Sequence, residues 1–251
     1  MTIRQLKRII IDQKEELEQA RQAENIIPRD MDLARIRASI QKPNIAVITG
    51  VRRCGKSTLA VSALAGEQFG FLNFDDNALA GFTAGDFDTL LQAFYELFGS
   101  ELEYFVFDEI QNIKGWELFA SKLRRTKKVI ITGSNAHLLS GELATHLTGR
   151  HMDFTLLPFS FQEYLRYHGI KVRRDDFYST AKTAKISRHL DDYARQGGFP
   201  EVYRFGTQMA MNIYEDIIAK DVLMRHNVRR KKDLQELANY LISLFGKEFT
   251  Y

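Results

Sequence analysis

The chain has 251 residues, 45% hydrophobic and 27% charged, with a formal net charge of +3 and a single cysteine. That is enough apolar material for one large domain or two smaller ones, and no apolar run is long enough to span a bilayer. One cysteine excludes an internal disulfide, and the first eighteen residues, basic but soon acidic, do not read as a signal peptide, so a reducing cytoplasm is expected. The mild positive charge permits nucleic-acid binding without arguing for it.

Residues 3–22 read as a polar amphipathic helix with apolar Ile3, Leu6, Ile10 and Leu17, and Ile26-Ile27-Pro28-Arg29 as a connection. Asp30 or Asp32 is expected to cap a second helix ending near Ile40. Asn44 to Thr49 follows as a buried strand. It leads into Gly50-Val51-Arg52-Arg53-Cys54-Gly55-Lys56-Ser57, which meets the phosphate-loop pattern G-x-x-x-x-G-K-[ST] at every fixed position. The glycines let the backbone curl until successive N–H groups face a phosphate, and a helix beginning near Thr58 turns its positive end to the anion. Lys56 would reach the β- and γ-phosphates, and the Ser57 hydroxyl would ligate Mg²⁺. Cys54 reads as a small residue filling a position without a side-chain role.

Four further strands are expected: Gly70 to Phe74, Tyr104 to Asp108, Val129 to Thr132 and Asp153 to Leu157. Helices such as Phe87 to Phe98 and Leu118 to Arg125 separate them. Strands alternating with helices indicate a parallel sheet covered on both faces. The third strand ends in Asp108-Glu109, at the carboxyl edge where open α/β sheets bind ligands. Asp108 is the expected Mg²⁺ partner, and Glu109 is placed to deprotonate an attacking water. That doublet favours water activation over transfer to a second substrate. No Asn-Lys-x-Asp base-reading motif is present, so ATP is expected rather than GTP. Asn73 and Asp75-Asp76 read as solvated strand-end groups, and Gln111 as a neighbour that helps shape the site.

Two smaller features bear on catalysis. Ser134 or Asn135, after the fourth strand, would contact the attacking water or the γ-phosphate if that strand lies in mid-sheet. Arg150, before the fifth strand, would supply charge to the γ-phosphate of its own site or of a neighbour's in a homo-oligomer. Basic runs at Lys122 to Lys128 and Arg225 to Lys232 read as solvated helix ends, the second with the alternative of touching a phosphate backbone. Beyond Phe161 the pattern is all helical, including His189 to Gln196, Met209 to Leu223 and Lys232 to Phe245. The division expected is an N-terminal helical extension (1–42), a phosphate-loop ATPase core (43–160) and a helical lid with the start of a further region (161–251).

Jointly, the phosphate loop, Ile26-Ile27-Pro28-Arg29, Phe107-Asp108-Glu109-Ile110-Gln111, Thr132-Gly133-Ser134-Asn135, Leu147-Thr148-Gly149-Arg150, Pro158 to Tyr164 and Gly197-Gly198-Phe199-Pro200-Glu201 carry a resemblance. The chain resembles the archaeal and bacterial AAA-type P-loop ATPases that usually carry a C-terminal domain of unknown function. The resemblance implies an α/β P-loop NTPase of the AAA type, with a five-stranded parallel core. The Ser134 strand would lie between the strands bearing Lys56 and Asp108, and a helical lid would follow. It also implies an ATP- and Mg²⁺-dependent ATPase that drives or switches a conformational change. Such relatives continue into a winged-helix and a further domain. This chain ends at Tyr251, so it is expected to be shortened before that domain, and partner functions of longer relatives do not carry over.

Overall fold

The computed structural model describes residues 1–23, 25–31, 33–133, 147, 149–224 and 228–244. Five strands form one sheet: β1 (Ile45–Gly50), β2 (Phe69–Asn73), β3 (Tyr104–Asp108), β4 (Lys128–Gly133) and β5 (His151–Leu156). Their order is β2-β3-β4-β1-β5 and every pairing is parallel. The fold is that of a P-loop NTPase, with β4 between the strands that carry Lys56 and Asp108, as expected.

Parallel strands need covered crossovers, and the helices between them supply the cover. Alternate residues face opposite layers. Ile45, Val47, Phe105, Phe107, Val129 and Ile131 join one core, while Ala46, Ile48, Val106 and Ile130 join the other. The first core lies under α1 (Ile3–Ala23), α4 (Phe87–Phe98) and α5 (Trp116–Leu123), and holds Phe87 and Phe119 stacked 4.0 Å apart. The second lies under α2 (Leu33–Ile40) and α3 (Lys56–Ala63).

α1 is part of this core. It buries Leu6, Ile9 and Ile10, and its Gln13 side chain bonds both the N–H and the carbonyl of Asn73 at the end of β2. Gln13 also donates to Asp76 at 2.7 Å, so Asp76 is held by α1 rather than simply solvated. Asp30, one of the two expected caps, turns its carboxylate to the helical part. It accepts there from Ser160 (2.8 Å) and Arg166 (2.7 Å), while Asp32 lies outside the described residues.

After β5 the chain forms α6 (Phe161–Tyr167), α7 (Thr180–Gln196), α8 (Pro200–Phe205) and α9 (Gln208–Asp216). The last runs on in wider π-type turns, Ile217–Met224, before α10 (Lys231–Ser243). This helical part has few buried residues. Among the described residues Tyr164, Leu165, Val202 and Ile213 are the apolar ones, and α7 and α10 bury none. A cluster of rings (Phe159, Tyr164, Tyr167, Tyr193, Tyr203) holds it together near the core. Gly198 meets the β5 exit so closely that a Cβ there would stand 2.5 Å from the Phe159 carbonyl oxygen.

Candidate nucleotide site

The loop between β1 and α3 closes through unusual backbone angles. Arg53 has φ +65° and Gly55, just before α3, has φ +96°. A side chain at Gly50 would put its Cβ 2.3 Å from the Leu156 carbonyl oxygen, so only glycine fits beside β5. Cys54 is fully buried, its thiol donating to the Leu156 carbonyl at 3.5 Å, and burial pushes the thiol above the ordinary cysteine range. The small-residue reading of Cys54 agrees with that placement.

Parallel topology brings the ends of β1 and β3 to one edge, and the predicted residues meet there. The Ser57 hydroxyl donates to Asp108 Oδ2 at 2.6 Å, and the Thr132 hydroxyl donates to Asp108 Oδ1. Lys56 is buried, with Nζ donating to the Val51 carbonyl (3.2 Å) and standing 3.6 Å from Glu109 Oε1. Glu109 has φ +51°, a left-handed conformation rare for a non-glycine residue and frequent at functional sites. Burial pushes its carboxyl above the ordinary range, while Lys56 opposes that shift. The Gln111 amide donates to Glu109, which agrees with the expected site-shaping role. Thr132 is a site residue that sequence reasoning missed, since strand threonines are common and only the register reveals its partner.

Two oxygens, a hydroxyl and a carboxylate, stand together beside a lysine. That donor set fits Mg²⁺, which takes hard oxygen ligands and keeps waters and substrate phosphates for its other positions. Around these groups opens a cavity of about 550 Å³. Its lining combines the polar Lys56, Ser57, Asp108 and Glu109 with the apolar Ile26, Ile27, Pro28, Leu33, Phe159 and Tyr167.

The side chains of Arg52 and Arg53 line the cavity and pair with acids beyond the loop, a role sequence reasoning did not assign. Arg53 pairs with Glu201 (2.5 Å) on α8 and Asp216 (2.9 Å) at the end of α9. Arg52 pairs with Asp75 (3.2 Å) after β2 and stands 3.7 Å from Asp221 in the π-type turns. Both guanidiniums thus tie the phosphate loop to the helical part. The two arginines in adjacent free positions of the motif were the visible signal, but their partners lie far along the chain.

Arg150 stands elsewhere. Its carbonyl accepts from the N–H of Ile45, the first residue of β1, at 3.0 Å. Gly50 is five residues further along that strand, about 16 Å away at ~3.3 Å per residue. Arg150 is exposed at the amino edge of the sheet, opposite the phosphate loop. The alternative in which it serves its own site is therefore corrected: a guanidinium cannot reach across the sheet. Ser134 and Asn135 lie outside the described residues. Among the described residues no helix is long and apolar enough to cross a membrane.

Residues 42–165 match a family model described as an AAA domain. The chain is 32% identical over 244 residues to an uncharacterised protein of Methanocaldococcus jannaschii, covering 93% of this chain and 53% of that one. It is also 32% identical over 220 residues to an uncharacterised protein of Haemophilus influenzae, covering 81% of this chain and 52% of that one. The chain thus spans about half the length of the curated relatives it matches. Among solved structures it is similar to a Walker-type ATPase of Pyrococcus abyssi, at 17% identity and a TM-score of 0.47, over 87% of this chain and 77% of that one. The match of residues 42–165 to an AAA-domain model, the all-parallel sheet and the loop before α3 agree on one fold, that of a P-loop NTPase.

Proposed function

We propose that the chain binds ATP with Mg²⁺ and hydrolyses it, converting nucleotide state into movement of its helical lid. The observation that carries this reading is the convergence of Lys56, Ser57, Asp108 and Glu109 at one sheet edge, within contact distances of one another. The Ser57 and Asp108 oxygens would hold Mg²⁺, which when bound neutralises charge on the phosphates. The backbone N–H groups from Val51 to Thr58 would cradle the β-phosphate at the amino end of α3. Lys56 now spends its charge on Glu109 and a carbonyl, and would exchange them for phosphate oxygens. Glu109 would then be released to take the proton of the attacking water. The apolar residues of the lining, Ile26, Ile27, Pro28, Leu33, Phe159 and Tyr167, would suit a nucleobase. Catalysis is positioning and charge neutralisation.

A second reading is a nucleotide-dependent switch that hydrolyses slowly, with nucleic acid as one partner class. The position of Arg150 favours it. With that residue away from its own site, its guanidinium could serve only a neighbouring copy, so a chain that does not associate would turn over slowly. Calorimetry with ATP and Mg²⁺ on the parent and on Lys56→Ala tests the common ground. The variant should lose most of its affinity while circular dichroism stays unchanged, and parent-like affinity overturns both readings. Turnover measured against protein concentration, with and without DNA, then separates them.

A further inference from the structure

Arg29 belongs to no catalytic group named above, yet it makes the most concentrated set of directional bonds around the site. It sits on the connection between α1 and α2, and its side chain is nine-tenths buried. Nη1 donates to the Cys54 carbonyl inside the phosphate loop at 2.9 Å. Nη2 donates to the Leu157 carbonyl, just past β5, at 2.7 Å. Nε donates to Glu163 Oε1 on α6 at 2.8 Å. The guanidinium also lies over the Phe159 ring, 4.8 Å from its centre. Glu163 is itself buried and saturated, accepting in addition from the N–H groups of Asp30 (2.7 Å) and Ser160 (2.9 Å).

A buried ion pair of this kind is often no more stable than apolar side chains of the same volume. What a planar guanidinium adds is a rigid fork that fixes several acceptors at once. One of those acceptors matters for the loop. In a trans peptide the C=O and N–H point in opposite directions. A Cys54 carbonyl drawn toward Arg29 therefore turns the Gly55 N–H away from that guanidinium, at the residue that immediately precedes α3.

We infer that Arg29 is a positioning residue: it sets the Cys54–Gly55 peptide so that the Gly55 N–H faces the phosphate site, and couples that setting to the segment Leu157 to Phe159 after β5. This rests on reading the loop as a polyphosphate site. The coupling runs through Phe159, whose N–H donates to the Gly198 carbonyl (2.7 Å) and whose carbonyl accepts from the Tyr193 hydroxyl (2.7 Å). Both of those partners belong to the helical part. A shift of the helical part that moves Phe159 and α6 would thus turn the Gly55 N–H out of register.

The test uses the full chain with Arg29→Lys, Glu163→Gln and Lys56→Ala, titrated in Mg²⁺ with ATP, inorganic tripolyphosphate and AMP. Arg29→Lys keeps a cation but not the fork. It should bind ATP and tripolyphosphate at least tenfold more weakly while AMP affinity stays within twofold. Glu163→Gln, which leaves the guanidinium but removes its counter-charge, should fall between. The Gly55 amide resonance of glycine-labelled protein should shift in both variants without ligand, a readout that general destabilisation does not give. Equal losses for AMP and ATP, or parent-like tripolyphosphate binding by Arg29→Lys, overturn the inference. If Lys56→Ala loses affinity in the same series, that failure belongs to Arg29 alone. If Lys56→Ala also binds like the parent, the polyphosphate reading falls with it. Should Arg29→Lys not fold, Glu163→Gln and its Gly55 resonance decide.

Discussion

Arg53→Gln is the perturbation that most directly tests whether the helical part is held by the phosphate loop. Glutamine keeps much of the side-chain length and the left-handed backbone of a non-glycine residue, and removes only the charge. Two ion pairs are lost, to Glu201 at 2.5 Å and to Asp216 at 2.9 Å. All three side chains are about one-third exposed, so solvent screens them. Pairs of this exposure contribute ~0.5–1 kcal/mol each, the upper half of the surface range. Two of them give about 1–2 kcal/mol, which corresponds to a roughly 5–30-fold larger population of undocked lid. Beyond the Tyr203 ring contacts, α8 and α9 bury only Val202 and Ile213, so little else holds them. Amide hydrogen exchange under conditions where opening pre-equilibrates reads that population directly. Amides of α8 and α9 should exchange about 5–30-fold faster, those of β1 and β4 at the parent rate, and the difference should shrink in high salt. Glu201→Gln and Asp216→Asn should each produce about half the free-energy effect. Unchanged exchange in α8 and α9 would refute the idea that these charges hold the lid.

Glu109→Gln should keep ATP and Mg²⁺ bound while turnover drops by about 10²-fold or more, the scale of a lost general base, and single-turnover hydrolysis measures it. Its pH dependence has a definite sign. Burial raises the Glu109 carboxyl, so the acid limb of turnover should lie above the ordinary glutamate range, and the fold should lose stability as pH rises through that raised value. Glu109→Gln lacks that loss, so its melting temperature at neutral pH should equal or exceed the parent's in calorimetry; a lower one contradicts the assignment. Asp108→Asn should weaken ATP binding in Mg²⁺ far more than in EDTA, and an equal effect in both would remove Asp108 from the metal. Arg150→Ala should lower turnover only at concentrations where copies associate, and mixing it with Glu109→Gln protein should restore some activity. If mixing restores nothing and the variant turns over like the parent at every concentration, Arg150 is a surface residue.

The sheet was legible because buried parallel strands write themselves as short apolar runs, and β3 matches its expected limits residue for residue. The phosphate loop and the Asp108-Glu109 doublet were legible because their chemistry tolerates few substitutes. The position of Arg150 was also available in principle. A residue that precedes a parallel strand lies at the amino edge, whereas a loop that follows one lies at the carboxyl edge. What stayed hidden depends on partners distant along the chain. Gln13 meets Asn73 and Asp76 some sixty residues away, and Arg29 meets Glu163 across 134. No local periodicity marks a glutamine or an arginine for burial, so α1 read as a mere extension and Asp76 as a solvated end. The limits of the helices after β5 were blurred for another reason. Helices that bury almost nothing carry a weak apolar stripe, and α9 passes into π-type turns without any break in the pattern.

The seat of Cys54 gives this protein a built-in chemical clock. The chain has one thiol, and it lies inside the phosphate loop, closed off under the carbonyl of Leu156. A membrane-permeant or soluble alkylating reagent can reach it only when that loop leaves β5. Each molecule then gains one mass increment and no more, so intact-mass spectra count loop openings without any engineered label. Nucleotides that hold the loop shut should slow the clock, and ligands that pry the lid away should quicken it. The same protein could therefore be screened for effectors in a crude mixture, with the rate of a single covalent mark as the signal.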